Sequence, residues 1–243
     1  MSNIVENKTR DHQSTGIIKS NINSANNFDV QRVYETFFAA LREPDNPKSP
    51  IGTQDYMNGY RELLKFVDQL GYVFKFVKDD VIDKLGILQA FVDTDRKKGT
   101  SHYDTIQHAI DYETEQNIIK TNPDNNFTRT LLRLHRALIF IVQLLQGLND
   151  RPLSESTSTI ASTCYKATLY NHRKVNKQDG FMVRGTVKVG FHMLPSRKEL
   201  DDAIFHGHKT ELLEQYMTFV KIIKQIYDTV EAYYAEKNYL QLP

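Results

Sequence analysis

RTLLRLHRALIFIVQLLQG, residues 129–147, is the stretch that decides the fold. Read at helical spacing, it places Arg129 and Arg133 one turn apart on one face. The apolar stripe that runs on from them contains Leu134, Ala137, Leu138, Ile141, Leu144 and Leu145. Asn126 or Thr128 is placed to cap the helix, and its N-terminal end adds partial positive charge beside the arginines. The segment predicts either a phosphate site above an apolar interior, or a core helix with a solvated arginine pair.

Composition and charge limit the class of protein. The 243 residues suit one large domain or two small ones, and a net charge of +1 gives no basic footprint for nucleic acid. Cys164 is the only cysteine, so a disulfide within the chain is impossible and a reducing compartment is expected. The beginning of the chain does not resemble a signal peptide, and the longest apolar run, 137–142, is far short of the ~20 residues that span a bilayer. A soluble, cytoplasmic protein is expected.

The spacing of apolar residues is helical almost throughout the chain. Residues 1–27 are rich in Asn, Ser, Lys and Glu, and we predict a disordered leader there, followed by one domain at 28–243. Helices are predicted at about 29–42, 55–76, 79–92, 102–120, 129–147, 157–174, 181–194, from Pro195 onward, and 209–234. The β-branched residues of 181–194 also fit a strand, but the neighbouring segments are helical. The predicted fold class is all-α, with about eight helices.

A second charged motif lies upstream of the arginines. Asp80 and Lys84 are one helical turn apart and follow LGYVFKFV, residues 70–77. Taken alone, they form a surface pair that stabilises a helix by a few tenths of a kcal/mol. Together with RTLLRLHRAL, VGFHMLP (189–195) and the closing YAE and LQLP, in this order, the motif resembles the glycolipid transfer protein superfamily, most closely its ceramide-1-phosphate branch. The resemblance runs from about residue 28 to residue 243.

The resemblance implies a fold and an activity. The fold is a two-layer helical sandwich that encloses an apolar lipid pocket. The activity is transfer between membranes of ceramide-1-phosphate, or of a related phosphosphingolipid, without a cofactor and without covalent chemistry. Such proteins are monomeric, cytoplasmic and in transient contact with membrane surfaces.

The resemblance also implies roles for individual residues. Asp80 matches the aspartate that accepts a hydrogen bond from the ceramide amide, and Lys84, Arg129 and Arg133 match cations that contact the phosphate. Glycolipid-binding relatives carry a tryptophan at the place of Arg133, and this chain has no tryptophan. Lys120 matches a further phosphate-contacting arginine; lysine keeps the charge but loses the two-pronged geometry.

One position departs from the family pattern. The family has a histidine that hydrogen-bonds the amide carbonyl of the lipid, and His172 is the nearest match here. About six extra residues follow it, so a shifted register would bring Arg173 or Asp179 to that place instead. An exposed histidine at a helix end is the alternative interpretation of His172.

A ceramide carrier must distinguish one lipid from another by the head group, for an energetic reason. The two chains carry roughly 30 methylenes, each worth ~0.8 kcal/mol against water, so transport requires an apolar sleeve. Because bilayer and sleeve are both apolar, burial of the chains nearly cancels between them. A phosphate monoester carries about −1.5 to −2 charges for the cations to bind. A neutral sugar would leave those cations unpaired, at ~1–3 kcal/mol for each unsatisfied group.

Other functions are compatible with parts of the sequence. The same lipid could be the substrate of a phosphatase, but no nucleophile stands beside a general base. A lipid sensor or interaction module of the same fold, and a carrier of neutral glycosphingolipids, are further alternatives. His206 and His208 could suggest a metal, but no cysteine or carboxylate cage surrounds them, and surface histidines are the more frequent case.

Overall fold

The structure, a computed structural model, describes residues 27–168 and 190–243. The helices of those two ranges, in chain order, are α1 (Val30–Ala40), α2 (Thr53–Gln69), a 3₁₀ turn (Tyr72–Phe74), α3 (Lys75–Lys97), α4 (Ile106–Glu115), α5 (Ile118–Thr121), α6 (Phe127–Asp150), α7 (Thr157–Ala167), α8 (Arg197–Phe205) and α9 (Lys209–Glu236). Two isolated antiparallel bridges tie the loops at Leu41 to Ile51 and at Gly52 to Thr105. The all-α prediction is confirmed.

Side-chain caps begin several of these helices. The Asp29 carboxylate accepts the backbone N–H groups of the first turn of α1, and the Ser156 hydroxyl does the same for α7. Ser196 and Glu199 form a reciprocal capping box at α8. Asn126 caps α6, as predicted. These polar residues satisfy N–H groups that have no partner within the helix, which fixes where each helix begins.

The predicted helix at 55–76 is correct as far as Gln69, where α2 ends, and wrong beyond it. The chain breaks at Gly71, whose φ of 93° and ψ of 170° lie in a region that is almost closed to residues with a Cβ. After the 3₁₀ turn, the next helix begins at Lys75 and continues to Lys97, beyond both predicted limits. Apolar residues continue across the break, so periodicity alone did not reveal it.

The predicted helix at 102–120 is also divided. Asn117 adopts the left-handed conformation, with φ 55°, between α4 and the short α5. Asparagine tolerates this conformation better than most residues. The change of direction gives α5 a separate orientation at the end of α4, next to the start of α6.

The centre of the fold is α6. It packs against α3, α4, α7 and α9, while α1 packs on α2 and α9. It is long and apolar enough to cross a membrane, but 67% of its most apolar 18-residue window is buried in the protein. Three buried tyrosines donate hydrogen bonds to its backbone carbonyls: Tyr60 to Leu134 at 2.6 Å, Tyr216 to Leu145 at 2.7 Å and Tyr234 to Thr128 at 2.7 Å. These contacts fix α6 to helices α2 and α9.

Several predictions fall outside the described residues. These are residues 1–26 of the predicted leader, the continuation of α7 beyond residue 168, and the predicted helix at 181–194 up to residue 189. They stay predictions, and so does the division of the chain into a leader and one domain.

Candidate functional site

One face of α6 changes from cationic to aromatic along its length. Arg129, Arg133, Arg136 and Phe140 are spaced by three or four residues, so they share a face of the helix. Arg133 is exposed, Arg129 and Arg136 are half-buried, and Phe140 is buried. We call these four residues the α6 stripe. Cationic side chains followed by an apolar one match the arrangement of a lipid, in which a charged head group is followed by hydrocarbon chains.

Arg129 is held in place by its neighbours on the chain. Its backbone N–H donates to Asn126 Oδ1 at 2.8 Å, and one guanidinium nitrogen, Nη2, donates to the carbonyl of Ile119 at 3.4 Å. Its Nε is buried and has no hydrogen-bond partner within the described structure. The guanidinium is therefore held in position, while its Nε–H group has no acceptor among the described residues. A fixed guanidinium with an unused N–H donor is suited to binding an anion.

The N–H groups at the N-terminus of α6, which the sequence suggested for a bound anion, are occupied by a carboxylate of the protein itself. The Glu113 carboxylate, from α4, accepts the N–H groups of Phe127 at 2.7 Å and of Thr128 at 2.8 Å. With the Asn126 cap on Arg129, the N–H groups of the first turn are already bonded. The negative charge of Glu113 also offsets the positive end of the helix. A phosphate at this place must therefore be held by side chains.

Sequence reasoning missed Glu113, although a signal was present. Ile106, Ala109, Ile110 and Glu113 follow the spacing of a buried helix face, and all four are buried. A carboxylate at an apolar position of such a face requires hydrogen-bond donors nearby. Thr128, which the sequence suggests only as a possible cap, provides two of these donors.

Asp80 and Lys84 pair with each other on α3. The Lys84 ammonium lies against the Asp80 carboxylate, with side chains 16% and 65% exposed. Lys84 therefore lies against the protein while Asp80 faces solvent. An ammonium has three N–H donors, so it can bind a phosphate oxygen without releasing Asp80.

The packing of α3 on α6 brings this pair to the level of the arginines. Phe91 of α3 contacts Phe127 of α6, with ring centroids 6.4 Å apart. Lys84 lies seven residues before Phe91, on the same side of α3, and Arg133 lies six residues after Phe127. Phe191 lies 6.3 Å from Phe74, before α3, and 6.5 Å from Phe140 of α6, between ring centroids, so the two helices run antiparallel. The offsets are therefore about 10 Å and about 9 Å in the same direction. Lys84 and Arg133 are thus at nearly equal height on adjacent helices.

An aromatic cluster lies beyond this level. Phe191 is 6.3 Å from Phe74, 6.5 Å from Phe140 and 5.7 Å from Tyr165, between ring centroids. It therefore joins the beginning of α3, the middle of α6 and α7. We call Phe74, Phe140, Tyr165 and Phe191 the aromatic cluster. It supplies the apolar surface that the sequence predicted next to the cations.

These observations can be compared with known proteins. Residues 51–205, more than half of the chain, match the glycolipid transfer protein (GLTP) family. The chain belongs to the glycolipid transfer protein family. Within this family, the ceramide-1-phosphate transfer protein of Danio rerio is 33% identical over 224 residues, which are 90% of this chain and 100% of that protein.

Solved structures of the family show the same architecture. The crystal structure of mouse ceramide-1-phosphate transfer protein in its apo form has a TM-score of 0.78 at 31% identity, covering 89% of this chain and 100% of that one. The human ceramide-1-phosphate transfer protein in complex with 12:0 ceramide-1-phosphate has a TM-score of 0.77 at 26% identity, with the same coverage. The glycolipid transfer protein fold predicted from the sequence is confirmed.

Of the other two predicted site residues, Lys120 lies in the described part of the chain and His172 does not. Lys120 is exposed in the last turn of α5, directly after Ile119, whose carbonyl accepts from Arg129. Lys120 therefore lies beside the α6 stripe. His172, with Arg173 and Asp179, lies outside the described residues, so its role stays a prediction.

The two lysines of a surface groove elsewhere are already paired with carboxylates. Its volume is about 660 Å³, and it lies between α2 and α3, lined by Lys65, Lys78 and Ile82 among others. Lys65 already pairs with Glu62 at 2.7 Å, and Lys78 with Asp68 at 2.7 Å. The groove faces the α2 side of α3, away from Lys84. The apolar pocket for lipid chains remains a prediction that the aromatic cluster supports.

Proposed function

We propose that this chain binds ceramide-1-phosphate and carries it between membranes without covalent chemistry. Lys84, Arg129 and Arg133 hold the phosphate, Asp80 accepts the amide N–H, and Lys120 adds a peripheral cation. The observation that carries the proposal is the α6 stripe, which leads from arginines to the aromatic cluster. Relatives named for ceramide-1-phosphate transfer, and the human complex with that lipid, support the same ligand.

The charge balance of the site favours an anionic head group. Within residues 27–168 and 190–243, Arg129, Arg133 and Lys120 have no carboxylate at ion-pair distance. A phosphate would supply the countercharge, through charge-assisted hydrogen bonds of about 1.5–3 kcal/mol each. A neutral sugar would leave the guanidinium donors unmatched. The site therefore selects a phosphate-bearing lipid over a glycolipid.

A peripheral contact with the membrane is the second part of the proposal. Tyr72, Phe76 and Met193 are 86%, 39% and 63% exposed. They flank Phe74 and Phe191 of the aromatic cluster along the chain. Exposed aromatic side chains of this kind partition into the membrane interface. A monomer that works in the cytoplasm would use this edge to reach its lipid.

Vesicle-to-vesicle transfer of labelled lipids tests the head-group assignment. We expect transfer of ceramide-1-phosphate to exceed transfer of glucosylceramide by at least tenfold. Equal rates for the two lipids would contradict the proposal. Release of inorganic phosphate from the lipid during the assay would favour a phosphatase instead.

A double variant tests the membrane contact separately. Tyr72→Asp with Phe76→Asp should reduce binding to vesicles and the transfer rate, but not the affinity for a short-chain lipid in solution. Phe38→Asp is the matched control, because Phe38 is 39% exposed, as Phe76 is, and lies near the end of α1, which is tied to the beginning of α2, whereas Tyr72 follows the end of α2. If both variants lower the transfer rate alike, the contact is not at this edge.

A further inference from the structure

Glu113 is a buried acid whose hydrogen-bond partners among the described residues are all neutral groups. Its side chain is fully inaccessible to solvent. It accepts from the N–H groups of Phe127 and Thr128, from the Thr128 hydroxyl at 2.7 Å, and from the Tyr103 hydroxyl at 3.3 Å. In the part of the chain that the structure describes, no cation pairs with it. A buried carboxylate without a cation is rare and expensive, so its contacts need an explanation.

The contacts of Glu113 converge on one turn of α6. That turn is also held by Asn126, which caps Arg129, and by Tyr234, which donates to the Thr128 carbonyl. Both the N–H and the C=O of Thr128 are therefore fixed from outside the helix, by α4 and by α9. Thr128 immediately precedes Arg129, so the turn that carries the first phosphate-binding arginine is fixed from two sides.

The Tyr103 hydroxyl remains a donor in this arrangement. Burial, and next the charge of Glu113, raises the pKa of Tyr103 well above its ordinary value. Tyr103 also packs against Phe127, with ring centroids 5.3 Å apart. Tyr103 thus contributes both a hydrogen bond and an apolar contact to the beginning of α6.

We propose that Glu113 is a positioning residue of the head-group site: it occupies the N–H groups that begin α6 and thereby fixes Arg129 for the phosphate. This inference rests on the proposed function. It has two consequences. The backbone at the helix end, which binds anions in many proteins, is closed to the phosphate by an anion from the protein itself. The orientation of Arg129 is settled before the lipid arrives, so its ordering costs nothing on binding.

Glu113→Gln tests the proposal, because it preserves the size of the side chain and removes one of the two acceptor oxygens. The full chain is titrated with short-chain ceramide-1-phosphate and with the matched neutral ceramide. We expect the affinity for the phosphate lipid to fall about tenfold and that for ceramide to change less than twofold. A merely structural defect would lower both affinities alike, since the two lipids share the same apolar surface.

Tyr216→Phe is the control, because it removes a similar tie to α6 at Leu145, far from the arginines. It should lower the melting temperature and leave the ratio of the two affinities unchanged. If Glu113→Gln does not fold, Thr128→Val removes only the hydroxyl donor, and the ratio should fall about threefold. An NMR signal of the Arg129 Nε–H group should shift in either variant, while that of Arg133 should not.

The outcomes separate this inference from the proposed function. A wild-type preference for the phosphate lipid that both Glu113→Gln and Thr128→Val retain would overturn the role of Glu113 alone. A wild-type chain that binds the two lipids equally would overturn the proposed function and this inference with it. A loss of preference in the variants, with the Tyr216→Phe control unchanged, would support both.

Discussion

The guanidinium of Arg136 donates a hydrogen bond of 2.7 Å to the backbone carbonyl of Leu240. A second bond from the same nitrogen reaches the carbonyl of Leu242 at 3.0 Å. Arg136 belongs to the α6 stripe, but these contacts commit it to the segment that follows α9. Burial lowers the pKa of Arg136, and the charge of Glu231 opposes that shift only in part. The third arginine of the stripe is therefore a structural tie.

Replacing Arg136 with methionine should loosen that segment. Two charge-assisted hydrogen bonds are lost, and each carbonyl regains water, so we expect a loss of about 1.5–3 kcal/mol in the free energy of unfolding. Hydrogen exchange should rise at the backbone amides of residues 239–242. The preference for ceramide-1-phosphate over ceramide should persist. A variant that keeps its stability but loses that preference would show that Arg136 binds the phosphate.

Arg133→Leu should remove the preference for a phosphate head group while the fold stays intact. Arg133 is exposed and has no ion pair within the described ranges, so its loss costs little stability. The missing contacts to phosphate should reduce affinity by about 10- to 100-fold, corresponding to about 1.5–3 kcal/mol. Lipid titration and thermal unfolding measure the two effects. Arg61→Leu is the control, because Arg61 is also exposed but bonds Asn58 and Gln89 on the α2 side of α3.

Gly71→Ala should destabilise the protein by about 1–3 kcal/mol, because the backbone conformation at Gly71 is strained for any residue with a Cβ. Space is not the obstacle, since the nearest atom to an added Cβ is the Met193 carbonyl oxygen at 4.0 Å. Gly86→Ala is the opposite control. Gly86 lies inside α3 with nothing within 4 Å, so alanine should stabilise the helix by about 0.5–1 kcal/mol. Denaturant unfolding measures the free energy of unfolding of both variants and distinguishes the expected loss from the expected gain.

The stability contributed by Asp111 should depend on pH. Burial alone would raise the pKa of this carboxyl, but the Lys237 ammonium at 2.5 Å and the Tyr233 hydroxyl at 2.6 Å together hold it below its ordinary value. A depressed pKa in the folded state gives stability that is present above the unfolded value, near 3.9, and is lost as pH falls through the folded value.

Asp111→Asn should therefore lower the free energy of unfolding at pH 7 by about 0.5–1 kcal/mol, as expected for a partly exposed pair. The difference from wild type should shrink as pH falls below about 4. Melting temperatures across pH 3–7 give the comparison. Asp228→Asn, which removes an exposed pair with Lys224 on α9, should change stability less at every pH. A constant difference for Asp111→Asn would rule out its ionisation as the cause.

The sequence by itself determined the fold class, the central helix and the family. The apolar spacing of 129–147 specifies a buried helix, because a continuous hydrophobic face must be covered by neighbouring elements. The ordered motifs around Asp80 and Arg129 identify the glycolipid transfer protein family. Both results depend on features of the local sequence, namely the helical spacing of its apolar residues and the identity of its charged side chains.

The tertiary structure decided which groups are free to bind. Sequence reasoning credited the helix N-terminus of α6 to the phosphate, but Glu113 arrives from α4 and occupies it. The third arginine of the stripe, Arg136, is likewise committed to carbonyls beyond α9. These partners are 14 and about 104 residues away along the chain. A donor's availability depends on what packs against it in space, and no local pattern records that.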